Sequence, residues 1–199
     1  YGYNYKGPTQ LAIENAKAAD VTIVTAAGND DTIATDSYPG NCYGNITIGA
    51  TDYNGYKTVY SNYSMYSSQQ KIYIGVDISA PGGDFESGMG EAGGIYSTVN
   101  DGVTVPGDPS YAYMQGTSMA SPVAAGVVAL MYSVKPNITD DQVWNILSTT
   151  AKPFAASSEC AQKIKITTMQ DGTKAKSGYC GIGIIDAGAA VAAVLKLNN

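Results

Sequence analysis

From Ser118 to Val134 the chain runs without one charged residue, and Ala, Gly, Val, Leu and Met fill most positions. Wound as a helix, that composition is apolar nearly all the way round, so it predicts a helix covered by other elements on every side. Pro136 ends it, because the residue before a proline is pushed out of helical geometry. Such a helix needs layers around it. Upstream, Gly7-Pro8 suits a first helical turn, and Leu11, Ile13, Ala16 and Ala19 give that helix a small apolar face that Asp20 stops. Val21 to Ala27 follows, the β-branched apolar run of a buried parallel strand, and Gly28-Asn29-Asp30-Asp31 turns the chain out of it. Helix, buried strand and polar loop in succession are the rhythm of an open α/β sheet, whose ligands sit at the carboxyl ends of the strands.

Short strands are expected at Ile46–Ala50, Ile72–Ser79, Ile95–Val99 and Tyr111–Gln115, separated by glycine-rich loops such as Pro81-Gly82-Gly83-Asp84. After the long helix, Thr139-Asp140-Asp141-Gln142 has the form of a capping box for a helix reaching Thr150. A strand at Ile182–Ile185 and a helix from Ala187 to Leu197 close the chain. No internal repeat, linker or charge block interrupts it, and 199 residues suit one domain.

A net charge of -6 and a pI near 4.4 argue against nucleic acid or an anionic membrane as partner. Every basic residue is Lys, so the bidentate phosphate fork of Arg is absent. No run is read as a membrane span. The lysines at 163, 165, 174 and 176 are read as one solvated hairpin face. Cys160 and Cys180 bracket an alternating segment, Lys163 to Thr167, and the turn signal Asp171-Gly172. They either form a disulfide clasping that hairpin or remain two reduced thiols beside it. Cys42 is left free or pairs outside this chain. Sequons at Asn45, Asn62 and Asn137 lean towards a secreted protein.

The chemistry concentrates in Gly116-Thr117-Ser118-Met119-Ala120-Ser121-Pro122. A strand ends there and a serine stands at the amino end of the apolar helix, where unpaired N–H groups and the helix dipole favour negative charge. An acyl-transfer nucleophile belongs in that place, because an oxyanion must develop beside it. By position alone, an ordinary serine at the start of a core helix fits as well.

The run Gly116 to Pro122, continued by Ala125-Gly126, resembles the nucleophile signature of the subtilisin-like peptidases. Three more blocks resemble that family in its order: Ala26-Ala27-Gly28-Asn29, the Ile46–Ala50 strand, and Asp77-Ile78-Ser79-Ala80-Pro81-Gly82. The resemblance runs from about Gly7 to the final helix. It implies an α/β fold with a mostly parallel central sheet and helices on both faces. The 199 residues would form the C-terminal two-thirds of one peptidase domain, incomplete at the N-terminus. It implies that Ser118 is the nucleophile and that the Asn29 amide is the oxyanion donor, together with the Ser118 N–H. Ala26, Ala27 and Gly28 would form one wall of the S1 pocket and Ser37 part of its floor, leaving room for a large apolar P1 side chain. Met119 resembles the oxidation-prone methionine after the nucleophile. Val123 departs from the family, many of whose members have a non-catalytic histidine there.

A serine triad needs a base, and the chain contains no histidine. The resemblance implies that the aspartate and histidine come from an N-terminal segment outside this chain, with a protein or peptide as substrate and a propeptide as inhibitor. This chain alone would then be inactive. Two other readings compete: an inactive subtilisin-like scaffold, and the sedolisin acid peptidases, which have an aspartate where this chain has Asn29. An α/β-hydrolase is excluded because its elbow requires Gly where Ala120 stands. No cofactor is expected for catalysis. The resemblance implies a structural calcium, with Asp77 and carbonyls near Tyr38 and Asp52 as ligands, against the alternative of solvated loop carboxylates.

Overall fold

A computed structural model describes residues 7–169, 172 and 174–197. In chain order its elements are α1 (Pro8–Ala18), β1 (Val24–Ala26), β2 (Ile46–Thr51), β3 (Met65–Ser67), β4 (Ile72–Ile74), β5 (Ile78–Pro81), β6 (Ile95–Asn100) and β7 (Pro109–Met114). There follow α2 (Thr117–Val134), α3 (Asp140–Thr150), α4 (Glu159–Gln162), β8 (Ile164–Thr168), β9 (Lys174–Gly178) and α5 (Ala187–Lys196). The fold is mixed α/β. Its centre is a parallel sheet in the order β1-β2-β5, with Val24 opposite Ile46 and Ile48 opposite Ile78.

Helix α2 packs across all three of these strands, α5 packs on α2, and α3 on α5. Ile48, Ile78, Met131, Leu147 and Val194 meet in the core between them, each at most 2% exposed. β2 is buried along its whole length, as a central strand covered on its faces must be. α3 begins with the expected capping box: the Thr139 side chain accepts from the Gln142 N–H, and the Gln142 side chain accepts from the Thr139 N–H. Lys17 of α1 donates to Asp140 and, at 3.3 Å, to Asp141, tying α1 to the first turn of α3.

Several expectations change. The run Val21–Ala27 becomes only a three-residue strand, half-buried, because β1 lies at the sheet edge, and Val21 is 50% exposed. In α1 only Ile13 is buried. The run Ile72–Ser79 splits at Gly75, whose φ of 133° suits glycine: β4 pairs with β3 in a small antiparallel hairpin, and β5 joins the main sheet. Ile182–Ile185 makes only isolated bridges, from Ile184 to Ser79 and Lys152. β6 and β7 pair with each other as an antiparallel ribbon outside the parallel sheet.

The long helix also differs from the all-round burial expected. Ala120, Ala124, Val127, Val128 and Met131 are buried, while Pro122, Ala125, Ala129 and Leu130 form an exposed apolar flank. Over 18 residues its mean hydropathy is 1.4, so by length and composition it is apolar enough to cross a bilayer, contrary to the reading of the sequence. Its packing against three strands is that of a core helix.

Cys160 and Cys180 form a disulfide, buried with Phe154 beneath the β8–β9 hairpin. The expected turn includes Asp171, which lies outside the described residues. Cys42 is a free, half-buried thiol. Asn137 is exposed, whereas Asn62 is 1% exposed and so is not an acceptor for a glycan in the folded chain.

Candidate active site

Ser118 is the second residue of α2 and faces solvent. Its N–H and hydroxyl have no protein partner among the described residues. Gly116, the residue capping the helix, has φ 148° and no side chain to satisfy the first-turn donors. The Thr117 N–H goes to Asn29 and the Met119 and Ala120 N–H groups to the Gly116 carbonyl, which leaves the Ser118 N–H for a ligand. The Gly116 N–H is fixed from behind by the Gly82 carbonyl at 2.9 Å and the Tyr60 hydroxyl at 3.0 Å. Tyr60 in turn donates to the Gly83 carbonyl at 2.5 Å, and burial raises the pKa of its hydroxyl. The loop that leads into Ser118 is therefore bonded to the carboxyl end of β5, where open α/β sheets place their sites.

Asn29 follows β1 at the same end of the sheet. Thr117 donates to the Asn29 Oδ1 twice, from its backbone N–H at 2.8 Å and its hydroxyl at 2.9 Å. The same hydroxyl accepts from the Gly28 N–H at 3.2 Å. With its oxygen held by two donors, the carboxamide turns its Nδ2 away from Thr117, and no acceptor among the described residues takes it. An exposed amide donor thus lies beside an exposed serine at a helix N-terminus. That arrangement suits a tetrahedral oxyanion. The Met119 sulfur lies over Gly116, 3.7 Å from where a Cβ there would stand.

The residues expected to form the S1 pocket come together. Ser37 follows a single 3-10 turn, Ala34–Asp36, and precedes a cis Tyr38-Pro39 bond. A Cβ on Gly28 would stand 2.6 Å from the Ser37 hydroxyl, and one on Gly40 2.8 Å from the Ala26 carbonyl, so both segments run in contact. Ala27, expected in the pocket wall, is fully buried, and its side chain packs against Ala34 and Val76. Its N–H donates to the Ile48 carbonyl at 3.0 Å and its carbonyl accepts from the Asn62 Nδ2 at 2.9 Å, so neither its side chain nor its backbone is left to a ligand.

Asp77 lies elsewhere. It immediately precedes β5, at the amino end of the sheet, where its Oδ2 accepts from the Thr47 N–H at 2.8 Å. It lines a cleft of about 560 Å³ with Gly40, Cys42 and Tyr43, and burial pushes its carboxyl up to about 6. Asp52 follows β2 at the opposite end of the parallel pair and uses Oδ1 to accept from the Asn54 and Tyr56 N–H groups. The two carboxylates do not converge, and among the described residues no group of three or more His, Cys, Asp or Glu could hold a metal.

A sequence profile of the Subtilase family matches residues 2–183. The chain belongs to the subtilase family. An extracellular protease of Xanthomonas campestris is 40% identical over 94% of this subtilase chain, and an extracellular basic protease of Dichelobacter nodosus is 32% identical over 96%. The chain spans only 26% of each of those relatives. A solved protease structure from Pseudoalteromonas arctica superposes with a TM-score of 0.73 at 37% identity, covering 94% of this chain and 46% of that one. A lanthipeptide protease, 20% identical with a TM-score of 0.64, shares the fold.

Three residues of this subtilase site escaped the sequence reading. Thr117 was legible as part of the nucleophile block but not as the group that orients Asn29. Tyr60 has no sequence signal for its contact with Gly116. Asn62, read as a glycosylation site, is instead bonded among the Asn29 loop and Ser37.

Proposed function

We propose that this chain supplies the nucleophile, oxyanion hole and S1 pocket of a secreted serine endopeptidase, with Asp and His supplied by an N-terminal segment of the same peptidase. The observation that carries the reading is the Asn29 carboxamide, its oxygen held by Thr117 and its Nδ2 left free beside Ser118. In that reading the histidine takes the Ser118 proton as Oγ attacks the scissile carbonyl carbon. The Asn29 Nδ2–H and the Ser118 N–H bind the carbonyl oxygen as it becomes an oxyanion. The leaving amine takes the proton back, and water then hydrolyses the acyl ester on Ser118. Small groups at Ala26, Gly28 and Ser37 favour a large apolar P1 side chain. The exposed apolar flank of α2 and the open edge at β1 are surfaces an N-terminal segment would cover.

Secretion is proposed from the extracellular relatives, and a polypeptide substrate and an inhibitory propeptide from the family resemblance. A structural calcium is proposed at the Asp77 cleft alone, since Asp52 lies at the other end of the sheet.

The test is fluorophosphonate labelling of the native full-length protein, with mass spectrometry to locate the adduct. Labelling at Ser118, lost on denaturation and in Ser118→Ala, is the expected result. A native protein that does not label would overturn the peptidase reading in favour of a scaffold with the same fold.

A further inference from the structure

We infer that Asn62 is a positioning residue of this site, resting on the peptidase reading above: its carboxamide locks the floor of the S1 pocket to the loop that carries the oxyanion donor. Asn62 is 1% exposed and touches no substrate position itself. Its Oδ1 accepts from the N–H groups of Asp30 and Thr32, both at 3.0 Å. Its Nδ2 donates to the Ala27 carbonyl at 2.9 Å and the Ser37 hydroxyl at 2.8 Å. Its own N–H donates to the Gly28 carbonyl at 3.0 Å. A carboxamide has two donors and two acceptor sites, and here all four are used.

Those partners surround the site. Ala27 and Gly28 precede Asn29, Asp30 and Thr32 follow it, and Ser37 belongs to the pocket floor. Neither the oxyanion loop nor the floor can shift without breaking a bond to the one amide. The fit also accounts for Gly28. Its φ is +103°, and a Cβ there would stand 2.3 Å from the Asn62 Nδ2 and 2.6 Å from the Ser37 hydroxyl. Turnover, which depends on where the Asn29 Nδ2 points, and P1 selectivity, which depends on Gly28 and Ser37, are thus held by a single side chain.

The experiment uses Asn62→Asp in the full-length protein, with kcat and KM measured from pH 5 to 9 on two peptide anilides, one with a large apolar P1 residue and one with alanine. The variant keeps the acceptor for Asp30 and Thr32 but sets a second oxygen against the Ala27 carbonyl. A protonated carboxyl can still donate there; an ionised one cannot. Asp30, Asp31, Asp36 and Lys57, the charged groups on the bonded segments, are common to both proteins, so the variant-to-parent ratio isolates the new carboxyl. Above the new carboxyl's pKa the expected kcat is roughly 10- to 100-fold lower, as a site displaced by a fraction of an ångström would give. The KM should rise more for the large P1 residue, and both effects should fade as the pH falls. If the variant does not fold at neutral pH, Asn62→Ser is measured for the same loss of kcat and P1 selectivity. A variant matching its parent within twofold in kcat, KM and P1 preference at every pH, even with a lower melting temperature, would overturn the inference alone. A parent that neither cleaves nor labels at Ser118 overturns the peptidase reading, and the inference falls with it.

Discussion

Thr117→Val is a near-isosteric change that removes one oxygen from behind the proposed oxyanion hole. Thr117 is fully buried, and its hydroxyl makes two bonds, donating to the Asn29 Oδ1 at 2.9 Å and accepting from the Gly28 N–H at 3.2 Å. In the variant the Thr117 N–H, at 2.8 Å, becomes the single donor to Asn29, and the Gly28 N–H faces a methyl group. An unsatisfied donor costs about 1–3 kcal/mol, so the fold should lose roughly 2 kcal/mol. The effect on turnover has a ceiling, because deleting an oxyanion donor outright costs about 100- to 1000-fold. Losing one of two bonds that aim the amide, worth about 1–1.5 kcal/mol, should lower kcat by roughly tenfold and leave KM nearly unchanged. Steady-state kinetics of the full-length protein on a peptide anilide, well below its melting temperature, measure this, with Thr117→Ser as the variant that keeps the hydroxyl. A valine variant that melts lower yet keeps kcat within twofold would show that the hydroxyl supports the fold and does not aim Asn29.

Replacing Cys160 and Cys180 together by serine opens a covalent loop with a sequence separation of 20 and should cost roughly 3 kcal/mol, read as an earlier denaturant midpoint than the oxidised parent. Asp77→Asn should stabilise the protein near neutral pH in the presence of a chelator. The parent's carboxyl is raised by burial from 3.8 to about 6, so the folded state holds its proton more tightly than the unfolded state does. The stability this confers is complete below about pH 4 and is lost as the pH rises towards 6, a change of at most about 3 kcal/mol, reduced by the carboxyl's partial exposure to its cleft. Thermal melts of both proteins across that range should diverge with rising pH. A gap that does not widen would mean that Asp77 is not desolvated.

The elements most legible in the sequence were those whose signals are local. The capping box at Thr139 and the end of α1 at Asp20 depend on a few neighbouring residues and stand as read. The Gly116–Pro122 run likewise placed the start of α2 correctly. What depended on distant partners was not legible. Val21 to Ala27 has the composition of a buried strand, but burial depends on what pairs beside it, and β1 is an edge. β6 and β7 were visible as two strands, yet nothing local says that they pair with each other rather than with the main sheet. Asn62 is the sharpest case. Its tripeptide matches a glycosylation signal, and only the approach of Ala27, Asp30, Thr32 and Ser37 makes it a buried amide with every valence used.

The Gly116 N–H bonds to the Gly82 carbonyl, and the Asp84 N–H bonds to the Gly93 carbonyl. The chain therefore leaves the sheet at Gly82, runs out along the β6–β7 ribbon, and returns to the point it left. Residues 83–115 are an excursion whose two ends are already joined by a hydrogen bond, so its length does not enter the position of Ser118. Closing a longer loop costs only about 0.6 kcal/mol per doubling. The tip around Val103, 97% exposed, is thus a place where the chain can be extended, shortened or exchanged while Ser118 keeps its coordinates, which frees the ribbon to diversify around a constant site.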